Sequence, residues 1–383
     1  STLFPYTTLF RSLAERSGRG AKTSPAYLAM TEKMRLLLKP LALLYRGIVL
    51  IRNFGFDRKL LRSWPSPLPV VSIGNVSVGG TGKTPLADWI VRYYLSIGEK
   101  PALISRGYGR STKGVQLVSD GKHIACSSRE AGDETFMLAA RNPDIIVVAA
   151  EKRRKGVEFI LHRFPDSLPS VIVLDDAFQH RQIDRNIDIV VINAGEWRSG
   201  EKLLPEGRLR ESERNVARAD LIVLSKITER KKAEETALDL KRFGVPVVLT
   251  RTATGDLLPF TESGGSGEKP ADRGVLAFAG IGSPEGFLKS LREKGVTIEA
   301  HRFFRDHEPY SPAKLRSLVQ EAEEKGLALV TTEKDYFRLL GTPDLFGMLA
   351  ERNCRYLRVH TVFIEGREII ETMLRSVTRK ERR

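Results

Sequence analysis

A glycine-rich turn followed by Lys and Thr has the most specific chemistry in this sequence. The segment runs Val70-Val-Ser-Ile-Gly-Asn-Val-Ser-Val-Gly-Gly-Thr-Gly-Lys-Thr-Pro85, an apolar stretch that leads into the turn and then into an amphipathic stretch. Successive backbone N–H groups in such a turn surround an anion, and the positive end of the following helix strengthens the attraction. The predicted nucleotide-binding residues are Ser77, Val78, Gly79, Gly80, Thr81, Gly82, Lys83 and Thr84.

Lys83 and Thr84 fit the two side-chain roles of a phosphate-binding loop. The Lys of such a loop contacts the β- and γ-phosphates, and the Thr hydroxyl ligates Mg²⁺. The usual pattern, G-x-x-x-x-G-K-[ST], has Gly where this sequence has Ser77, so the match is imperfect. A Gly-rich turn at an ordinary strand–helix junction is the alternative. The density of glycines, with an apolar run before and an amphipathic run after, favours the phosphate-binding loop.

Two adjacent carboxylates follow a second buried run, Val171–Leu174. Asp175 and Asp176 stand where P-loop enzymes place the acid that holds the Mg²⁺ shell. A single Asp at a strand end is commonly a turn former or a helix cap, but two in succession favour metal coordination. The predicted magnesium ligands are therefore Thr84, Asp175 and Asp176. These signals predict nucleotide binding without distinguishing a kinase from an ATPase or a GTPase.

The order of apolar runs predicts the sheet that positions these residues. From Trp64 onward, short buried runs alternate with amphipathic stretches, which is typical of an α/β fold with a mostly parallel sheet. Active sites in such sheets lie at the carboxyl ends of the strands. The predicted strands are Val70–Ile73, Ala102–Ser105, Ile145–Ala149, Val171–Leu174, Ile187–Ile192, Leu221–Leu224, Val247–Leu249, Val275–Ala279, Thr297–Phe303, Leu327–Thr332 and Tyr356–Phe363.

An apolar segment, Leu36–Ile51, precedes the predicted sheet. It is shorter than the ~20 residues that a membrane-spanning helix needs. On a helix, Arg35, Lys39 and Arg46 fall within a narrow arc, and a basic stripe beside an apolar face is typical of a helix in an anionic membrane interface. A buried amphipathic core helix is the alternative. The density of apolar residues and the basic flanks favour membrane contact.

The composition indicates a folded protein whose partners are anionic. The 383 residues are 41% hydrophobic and 28% charged, which excludes disorder throughout. Lys and Arg outnumber Asp and Glu by 62 to 47, an excess that favours nucleic acid, an acidic membrane surface or phosphorylated substrates. No nucleic-acid-binding module is recognised, so we expect no nucleic-acid partner. Two cysteines, Cys126 and Cys354, and no recognisable secretory signal are typical of a reducing, cytosolic compartment.

Six short motifs follow one another in an order that is specific to one family. They are Ser77-Val-Gly-Gly-Thr-Gly-Lys-Thr-Pro85, Leu103-Ile-Ser-Arg-Gly-Tyr-Gly-Arg110, Gly132-Asp-Glu134, Asp175-Asp-Ala-Phe-Gln-His180, Leu204-Pro-Glu-Gly-Arg-Leu-Arg-Glu211 and Thr331-Thr-Glu-Lys-Asp335. Together they closely resemble the tetraacyldisaccharide 4'-kinases, from near Leu36 to about Ile370. Ala177 stands where Gly is usual in the family and Thr135 where Pro is common. Neither departure removes a reacting group.

The resemblance implies an enzyme that uses ATP and Mg²⁺ to phosphorylate a lipid. Such enzymes transfer the γ-phosphate to the 4'-hydroxyl of a tetraacyldisaccharide 1-phosphate and form lipid IVA in lipid A biosynthesis. They act at the cytoplasmic face of the bacterial inner membrane, where an N-terminal helix holds them peripherally or monotopically. The expected partners are the acylated disaccharide 1-phosphate and an anionic membrane surface. No obligate protein partner is inferred.

The resemblance also assigns roles to individual residues. Asp133 matches the family's catalytic acidic residue, and His307 matches the histidine that pairs with it. Lys83 and Arg210 complete the expected catalytic set, with Arg208 as the substitute for Arg210. The expected substrate-side residues are Gln179, His180, Arg106 and Arg110. Without the resemblance, Asp133 is typical of a helix cap and His307 of an exposed loop. Arg106 and Arg110 are then typical of a basic turn after a strand.

The resemblance and the composition together predict the domain organisation. A region rich in Gly, Ser, Pro and Asp separates the two α/β parts of the chain. The expected parts are a disordered extension (1–33), an N-terminal membrane-associated helix (34–62), a P-loop kinase domain (63–255), a linker (256–274), a smaller C-terminal α/β domain (275–375) and a basic tail (376–383).

Two other P-loop classes are the alternatives to a lipid kinase. A membrane-targeted regulatory ATPase would act through protein partners, but its loop carries an additional Lys where this sequence has Val78. A GTP-binding switch would read guanine through Asn-Lys-x-Asp, which Thr332-Glu-Lys-Asp335 matches only loosely. Both departures count against these classes.

Overall fold

The structure, a computed structural model, describes residues 25–261, 274–282, 284–305 and 308–379. Most of the predicted extension 1–33, most of the predicted linker 256–274, and the end of the basic tail 376–383 lie outside these residues. Contacts along the chain define two compact units. The helical unit contains the described residues up to Arg62 together with Val76–Val78 and Arg198–Val216, and the sheet unit contains Ser63–Asn75, Gly79–Trp197 and the described residues from Ala217 onward.

One long helix, α1 (Pro25–Asp57), dominates the helical unit. The Tyr45 hydroxyl donates to the carbonyl oxygen of Arg210 at 2.7 Å. One turn before the helix ends, the Asn53 amide donates to Glu211 Oε2 at 3.1 Å, and both side chains are buried. These bonds attach α1 to the segment Arg198–Val216. In the described part of the chain, no helix combines the length and the hydropathy needed to cross a membrane.

The sheet unit is built on one large sheet, and its described strands are fully connected by hydrogen bonds. The strands are β1 (Val70–Gly74), β2 (Pro101–Ser105), β3 (Val115–Asp120), β4 (Ile146–Ala150), β5 (Val171–Leu174), β6 (Ile187–Asn193), β7 (Leu221–Ser225), β8 (Val247–Pro259), β9 (Val275–Ala279), β10 (Ile298–Phe303), β11 (Ala328–Thr332) and β12 (Arg355–Glu365). Their order is β10-β9-β11-β12-β8-β7-β6-β1-β5-β2-β4-β3.

Parallel pairing prevails in this sheet, which confirms the predicted mostly parallel α/β fold. Only the pairs β3–β4 and β8–β12 are antiparallel among the described strands. The β8–β12 ladder is long, with partners that run from Arg355↔Pro259 to Glu365↔Leu249. It joins the strands before the predicted linker to those after it. Residues 256–259, which the sequence assigns to the linker, belong to β8.

Helices lie between many of the strands in the sequence, because a connection between parallel strands must cross over the sheet. The helices of the sheet unit are α2 (Lys83–Ser96), α3 (Ser128–Ala131), α4 (Asp133–Arg141), α5 (Arg153–Arg163), α6 (Arg230–Leu240), α7 (Pro284–Glu293), α8 (Pro312–Glu324), α9 (Glu333–Leu340), α10 (Pro343–Ala350) and α11 (Arg367–Arg379). Short 3₁₀ turns lie at Pro165–Ser167, Glu213–Arg218 and Lys241–Phe243.

The central strands are buried on both faces, and their side chains alternate between two apolar layers. Val71 and Ile73 of β1 join the layer that contains Ile90 of α2. Val70, the first residue of β1, joins the opposite layer with Val157 of α5. A strand covered on both sides needs a continuous apolar run, which is why these strands were recognisable from the sequence.

A buried ion cluster connects three helices of the sheet unit. Arg141 of α4 lies with Nη1 3.2 Å from Asp88 Oδ2 on α2 and Nε 2.9 Å from Glu333 Oε1 on α9. Burial raises the pKa of the Glu333 carboxyl, and the charges of Arg141 and Arg358 oppose that rise. A buried carboxylate that loses a paired cation is strongly destabilised, so Arg141 stabilises the packing of these three helices by pairing with both carboxylates.

Replacing Arg141 with Met is expected to lower the free energy of unfolding by roughly 3 kcal/mol, because the buried carboxylates of Asp88 and Glu333 would keep only the partly exposed cations of Arg92 and Arg358. Guanidinium chloride unfolding followed by circular dichroism measures the change. Lys289→Met removes a cation from an exposed pair with Glu293 and is the matched control, expected to unfold at the wild-type midpoint. Equal midpoints for the Arg141 variant and the wild type would contradict the importance of the cluster.

Candidate active site

The phosphate-binding loop has the backbone geometry that its glycines permit. Gly79 has a φ of 116° and Gly82 a φ of 85°, in the left-handed region that residues with a Cβ rarely adopt. Between them, Thr81 accepts hydrogen bonds with both its side chain and its backbone. The Asn75 amide donates to its Oγ1 at 3.2 Å, and the Ser225 hydroxyl donates to its carbonyl at 2.6 Å. The loop residues of the sheet unit are therefore fixed by the protein itself.

Ser77 and Val78 belong to the helical unit. There Val78 donates its N–H to the Arg208 carbonyl at 2.8 Å, and Arg208 Nη2 returns a bond to the Val78 carbonyl at 3.3 Å. Ser77 pairs with Leu209 in an isolated antiparallel bridge. Ser77 is not among the residues with positive φ, so the position does not require the Gly of the usual pattern. The Arg210 N–H donates to the Val76 carbonyl, and its catalytic role stays a prediction.

Lys83 and Thr84, at the start of α2, lie beside carboxylates in the sheet unit. Lys83 Nζ is 3.5 Å from Asp176 Oδ1. The Thr84 hydroxyl donates to Glu134 Oε2 at 3.2 Å. The structure therefore brings together the loop Lys and Thr and one of the two predicted strand-end carboxylates. Glu134 was not among the predicted site residues, although it is part of the Gly132-Asp-Glu134 motif.

Asp175 is buried at the carboxyl end of β5. Its Oδ2 accepts a hydrogen bond from the Ser105 hydroxyl at 3.1 Å, while its Oδ1 is buried without a hydrogen-bond partner in the described part of the chain. Burial is the main reason that the pKa of the Asp175 carboxyl rises to about 6. The charge of Asp176 adds to that rise, and the charge of Lys83 opposes it.

The unsatisfied oxygen of Asp175 is the observation that fits a magnesium ion. Mg²⁺ prefers hard oxygen ligands and is usually held by one or two carboxylates together with water and substrate phosphates. Thr84, Asp175 and Asp176 offer such oxygens around the phosphate-binding loop. No cluster of three or more His, Cys, Asp or Glu side chains with metal-binding geometry occurs in the described residues. A site completed by nucleotide phosphates, rather than by a protein cage, agrees with both observations.

Arg153 binds the backbone at the carboxyl end of β5, and it was not among the predicted site residues. Its Nη1 donates to the Ala150 carbonyl at 2.6 Å, and its Nη2 donates to the carbonyls of Asp175 and Asp176 at 2.7 and 3.2 Å. The side chain is completely buried, which lowers the pKa of Arg153 to about 10. The basic run 152–155 is typical of a solvated helix start. The position at the first residue of α5 is what distinguishes this arginine from its neighbours.

Asp133 begins α4 behind a tightly packed glycine. Gly132 has a φ of 84°, and a Cβ added to it would lie 2.8 Å from the Tyr108 carbonyl oxygen. The Leu103–Arg110 motif therefore packs against the Gly132-Asp-Glu134 motif and sets where α4 starts. Asp133 Oδ2 lies 2.9 Å from Arg338 Nε. His307 lies outside the described residues, so its pairing with Asp133 stays a prediction.

Two of the predicted substrate-side residues follow β2. Arg106 comes directly after the strand and is partly buried. Arg110 is bound by the protein: its Nη2 lies 2.5 Å from Glu151 Oε1, its Nη1 donates to the Ala149 carbonyl at 3.2 Å, and its side chain is only 3% exposed. These contacts close the loop after β2, while the roles of both arginines toward a substrate stay predictions.

Gln179 and His180 follow the carboxylate pair and are partly buried. The Gln179 amide donates to the Asn75 carbonyl at 2.7 Å, which ties the segment after β5 to the segment after β1. His180 donates its backbone N–H to the Ala177 carbonyl at 2.8 Å within a tight turn. The structure places both residues near the carboxyl ends of the central strands, and their contact with substrate stays a prediction.

A second ammonium group, that of Lys226, lies beside the phosphate-binding loop. Lys226 directly follows β7 and has a φ of 55°. A Cβ built on Gly80 would lie 3.5 Å from its Nζ. Burial lowers the pKa of Lys226; the charge of Glu196 opposes this lowering, and the charge of Lys83 adds to it. Sequence reasoning missed this residue because a single Lys after a strand has no distinctive pattern, although its strand was predicted.

The fold and these contacts define the class of protein. A parallel sheet leads from β1 into a glycine-rich loop, with Lys83 at the head of α2 and carboxylates at the end of the adjacent strand β5, as in P-loop nucleotide-binding enzymes. Residues 34–378 match the family described as LpxK, Tetraacyldisaccharide-1-P 4'-kinase. The chain belongs to the tetraacyldisaccharide 4'-kinase family.

Similar proteins share nearly the full length of the chain. The tetraacyldisaccharide 4'-kinase of Chlorobium limicola is 62% identical over 348 residues, which cover 91% of this chain and 99% of that protein. The tetraacyldisaccharide 4'-kinase of Pelodictyon phaeoclathratiforme is 54% identical, with 90% and 98% covered. The crystal structure of LpxK from Aquifex aeolicus in complex with ATP matches with a TM-score of 0.70 and 29% identity, covering 90% of this chain and 99% of that one.

These findings confirm the family and the kinase class that the six motifs predicted. They do not favour the regulatory ATPase that was the alternative. The roles of individual site residues and the domain boundaries stay predictions.

Replacing Asp175 with Asn is expected to stabilise the nucleotide-free protein at pH 8 by roughly 1–3 kcal/mol, because the buried carboxylate is costly. The native pKa of about 6 exceeds the ordinary value of 3.8. The stability that the protonated Asp175 carboxyl contributes is therefore fully present below pH 3.8 and is lost as the pH rises through about 6. The advantage of the variant should therefore shrink by pH 5. Urea unfolding in the presence of a chelator measures both conditions.

Asp166→Asn, at an exposed carboxylate, is the matched control and should show no such pH-dependent gain. MgATP should raise the thermal midpoint of the wild type and of the control much more than that of Asp175→Asn. A variant that is less stable than the wild type at pH 8 would show that Asp175 has a structural role instead.

Proposed function

We propose that this protein transfers the γ-phosphate of ATP to the 4'-hydroxyl of a tetraacyldisaccharide 1-phosphate and thereby forms lipid IVA in lipid A biosynthesis. The observation that carries the proposal is the 62% identity, over 91% of this chain, to a protein named tetraacyldisaccharide 4'-kinase. The ATP in the related Aquifex aeolicus structure supports ATP as the phosphate donor. The loop, the carboxylate pair and the Asp133 motif of the sheet unit supply groups that this chemistry needs.

The phosphate-binding loop and its cations would bind the nucleotide. Backbone N–H groups of the loop and the N-terminus of α2 would face the phosphates, and Lys83 would contribute its ammonium group. In the structure Lys83 pairs with Asp176, so a bound triphosphate would replace that carboxylate as its partner. Thr84, Asp175 and Asp176 would hold Mg²⁺, which neutralises charge on the phosphate oxygens when bound. Phosphoryl transfer depends mostly on this positioning and charge stabilisation.

Asp133 would accept the proton of the acceptor hydroxyl. A sugar hydroxyl is a weak nucleophile, and a carboxylate within reach removes its proton as the phosphoryl group moves. The carboxylate lies at the N-terminus of α4, where the positive end of the helix dipole attracts negative charge. His307 would pair with it. Arg210 would stabilise the transferring phosphate, and Arg106, Gln179 and His180 would contact the substrate, with Arg110 supporting the same loop.

The helical unit would attach the enzyme to the cytoplasmic face of the inner membrane. α1 exposes large apolar side chains, among them Leu43 (66%), Leu44 (61%) and Ile51 (74%). Lys39 and Arg46 are exposed on the same helix. An apolar surface accompanied by basic side chains suits the boundary between acyl chains and anionic headgroups. The acylated substrate resides in that layer, so the proposal places enzyme and substrate together.

Purified protein in detergent micelles is expected to transfer radiolabelled phosphate from ATP to tetraacyldisaccharide 1-phosphate. Lys83→Ala should reduce the labelled lipid by about 100-fold or more, because the ammonium no longer offsets the charge that develops on the phosphates. Asp133→Asn should reduce turnover by roughly 100- to 10,000-fold with nearly unchanged ATP affinity. Thin-layer chromatography measures the lipid product, and equilibrium binding measures ATP affinity.

Lys232→Ala, at an exposed position of α6, is the control and should retain wild-type turnover. ATP hydrolysis without labelled lipid would point to the regulatory ATPase instead. A parallel fall of ATP affinity and turnover in Asp133→Asn would contradict the role of Asp133.

Replacing Leu43, Leu44 and Ile51 together with Ser is expected to weaken binding to vesicles that contain phosphatidylglycerol by roughly tenfold or more, because less apolar surface enters the interface. Vesicle flotation measures the bound fraction, and added salt should reduce it for the wild type. Leu238→Ser, an equally exposed leucine on α6 of the sheet unit, is the control and should bind as the wild type does. Unchanged binding of the triple variant would show that α1 does not attach the protein to the membrane.

A further inference from the structure

Two cations on one helix hold the two carboxylates that begin another. Lys334 and Arg338 are four residues apart on α9 and therefore share a face. Arg338 Nε lies 2.9 Å from Asp133 Oδ2, and Lys334 Nζ lies 3.3 Å from Glu134 Oε1. Asp133 and Glu134 are the first two residues of α4. The pairs connect positions about 200 residues apart in the sequence, and both helices belong to the sheet unit.

Arg338 is itself held in one position. Its Nη1 lies 3.0 Å from Oδ1 of Asp335, whose side chain is fully buried. The Tyr310 hydroxyl donates to the same carboxylate at 2.8 Å, and the Thr332 hydroxyl does so at 2.6 Å. Arg338 Nη1 also donates to the Gly280 carbonyl at 3.2 Å. A guanidinium restrained on this side presents Nε to Asp133 with little rotational freedom.

The second pair reaches the phosphate-binding loop. Glu134 uses Oε1 for Lys334 and Oε2 for the Thr84 hydroxyl, at 3.3 and 3.2 Å. Thr84 is the residue expected to contribute its hydroxyl to Mg²⁺. A displacement of α9 would therefore move two groups of the proposed site. One is Asp133, which would take the proton, and the other is Thr84, which would help to hold the nucleotide.

A purely structural connection between the helices is the simpler interpretation, and other contacts already provide one. The Arg141–Glu333 pair and the Phe136–Phe337 ring contact, with centroids 6.5 Å apart, join α4 to α9 without Arg338 or Lys334. Arg338 Nη2 is moreover buried without a hydrogen-bond partner in the described part of the chain. A guanidinium that leaves one donor unsatisfied is poorly explained by packing alone.

We propose that α9 is the positioning helix of the active site: Arg338 fixes the carboxylate of Asp133 in its working orientation, and Lys334 fixes Glu134 against Thr84. The inference deepens the proposed function and rests on it, because Asp133 acts on the acceptor hydroxyl only in that proposal. Arg338 and Lys334 are positioning residues that act through Asp133 and Glu134. The Thr331–Asp335 motif then has a purpose, since Thr332 caps α9 and Asp335 anchors Arg338.

Steady-state kinetics of lipid phosphorylation test the role of Arg338. Arg338→Met is expected to lower kcat by roughly 10- to 100-fold, because a misdirected base loses its alignment. The KM for ATP should stay within about twofold, since Asp133 is not assigned to nucleotide binding. Arg338→Lys should recover part of kcat. Arg352→Met, which breaks an exposed pair with Glu323, is the matched control with unchanged kcat.

A double-mutant cycle separates positioning from stability. If Arg338 acts through Asp133, Arg338→Met should cause little further loss of kcat in the Asp133→Asn background. A full, additive loss in that background would overturn the proposal, as would wild-type kcat in Arg338→Met. Should Arg338→Met fail to fold, Arg338→Lys and Lys334→Met carry the test. Lys334→Met is expected to fold and to lower kcat by roughly threefold or more, and an unchanged kcat there would count against α9.

The same experiments distinguish this inference from the proposed function. A wild-type protein that labels no lipid would refute the lipid kinase itself. A wild-type protein that labels lipid, an inactive Asp133→Asn and a fully active Arg338→Met would leave the kinase and its base intact and would refute only the positioning role.

Discussion

Negative charge concentrated at the carboxyl ends of parallel strands is the constraint on which this structure depends. Asp175 is buried and unsatisfied at one oxygen, and Asp176 stands beside it with a φ of 48°. Such carboxylates repel each other and lose solvation, so they persist only where cations and donors surround them. Lys83 approaches from the loop, and Arg153 supports both backbone carbonyls from beneath. A phosphate chain with its metal would complete this charge balance.

The cations that supply the balance come from distant parts of the chain, and the sheet is what brings them together. Lys83 follows β1, Arg153 follows β4, and Lys226 follows β7, so each stands after the carboxyl end of a different parallel strand. Arg338 lies on α9, which follows β11. The β8–β12 ladder joins β11 to the rest of the sheet, because β12 pairs with both β8 and β11. Side chains on rigid elements lose little further entropy when they hold a ligand, which favours precise positioning.

Local patterns in the sequence were enough for the central strands and the loop, and insufficient for their partners. The predicted strand Val171–Leu174 has the observed bounds because a continuous apolar run is a local property of the sequence. Strand β3, with three half-buried residues at its start, gave no such run. The β8–β12 pairing and the contacts of Arg153 and Arg338 depend on residues far away in the sequence, which no local period encodes.

Two positions that depart from the family's usual motifs show how the backbone makes room for substitution. At 177 the family usually has Gly, yet the left-handed residue in this turn is Asp176, whose short polar side chain tolerates that conformation. Ala177 is fully buried and donates its N–H to the Ile73 carbonyl at 2.9 Å, so its methyl group fills space beside β1. Thr135 occupies the first turn of α4, where backbone N–H groups have no partner within the helix. Pro and Thr are both acceptable there, because the lost donor was not used by the helix. Both exchanges therefore leave Asp133 and the carboxylate pair on the same backbone.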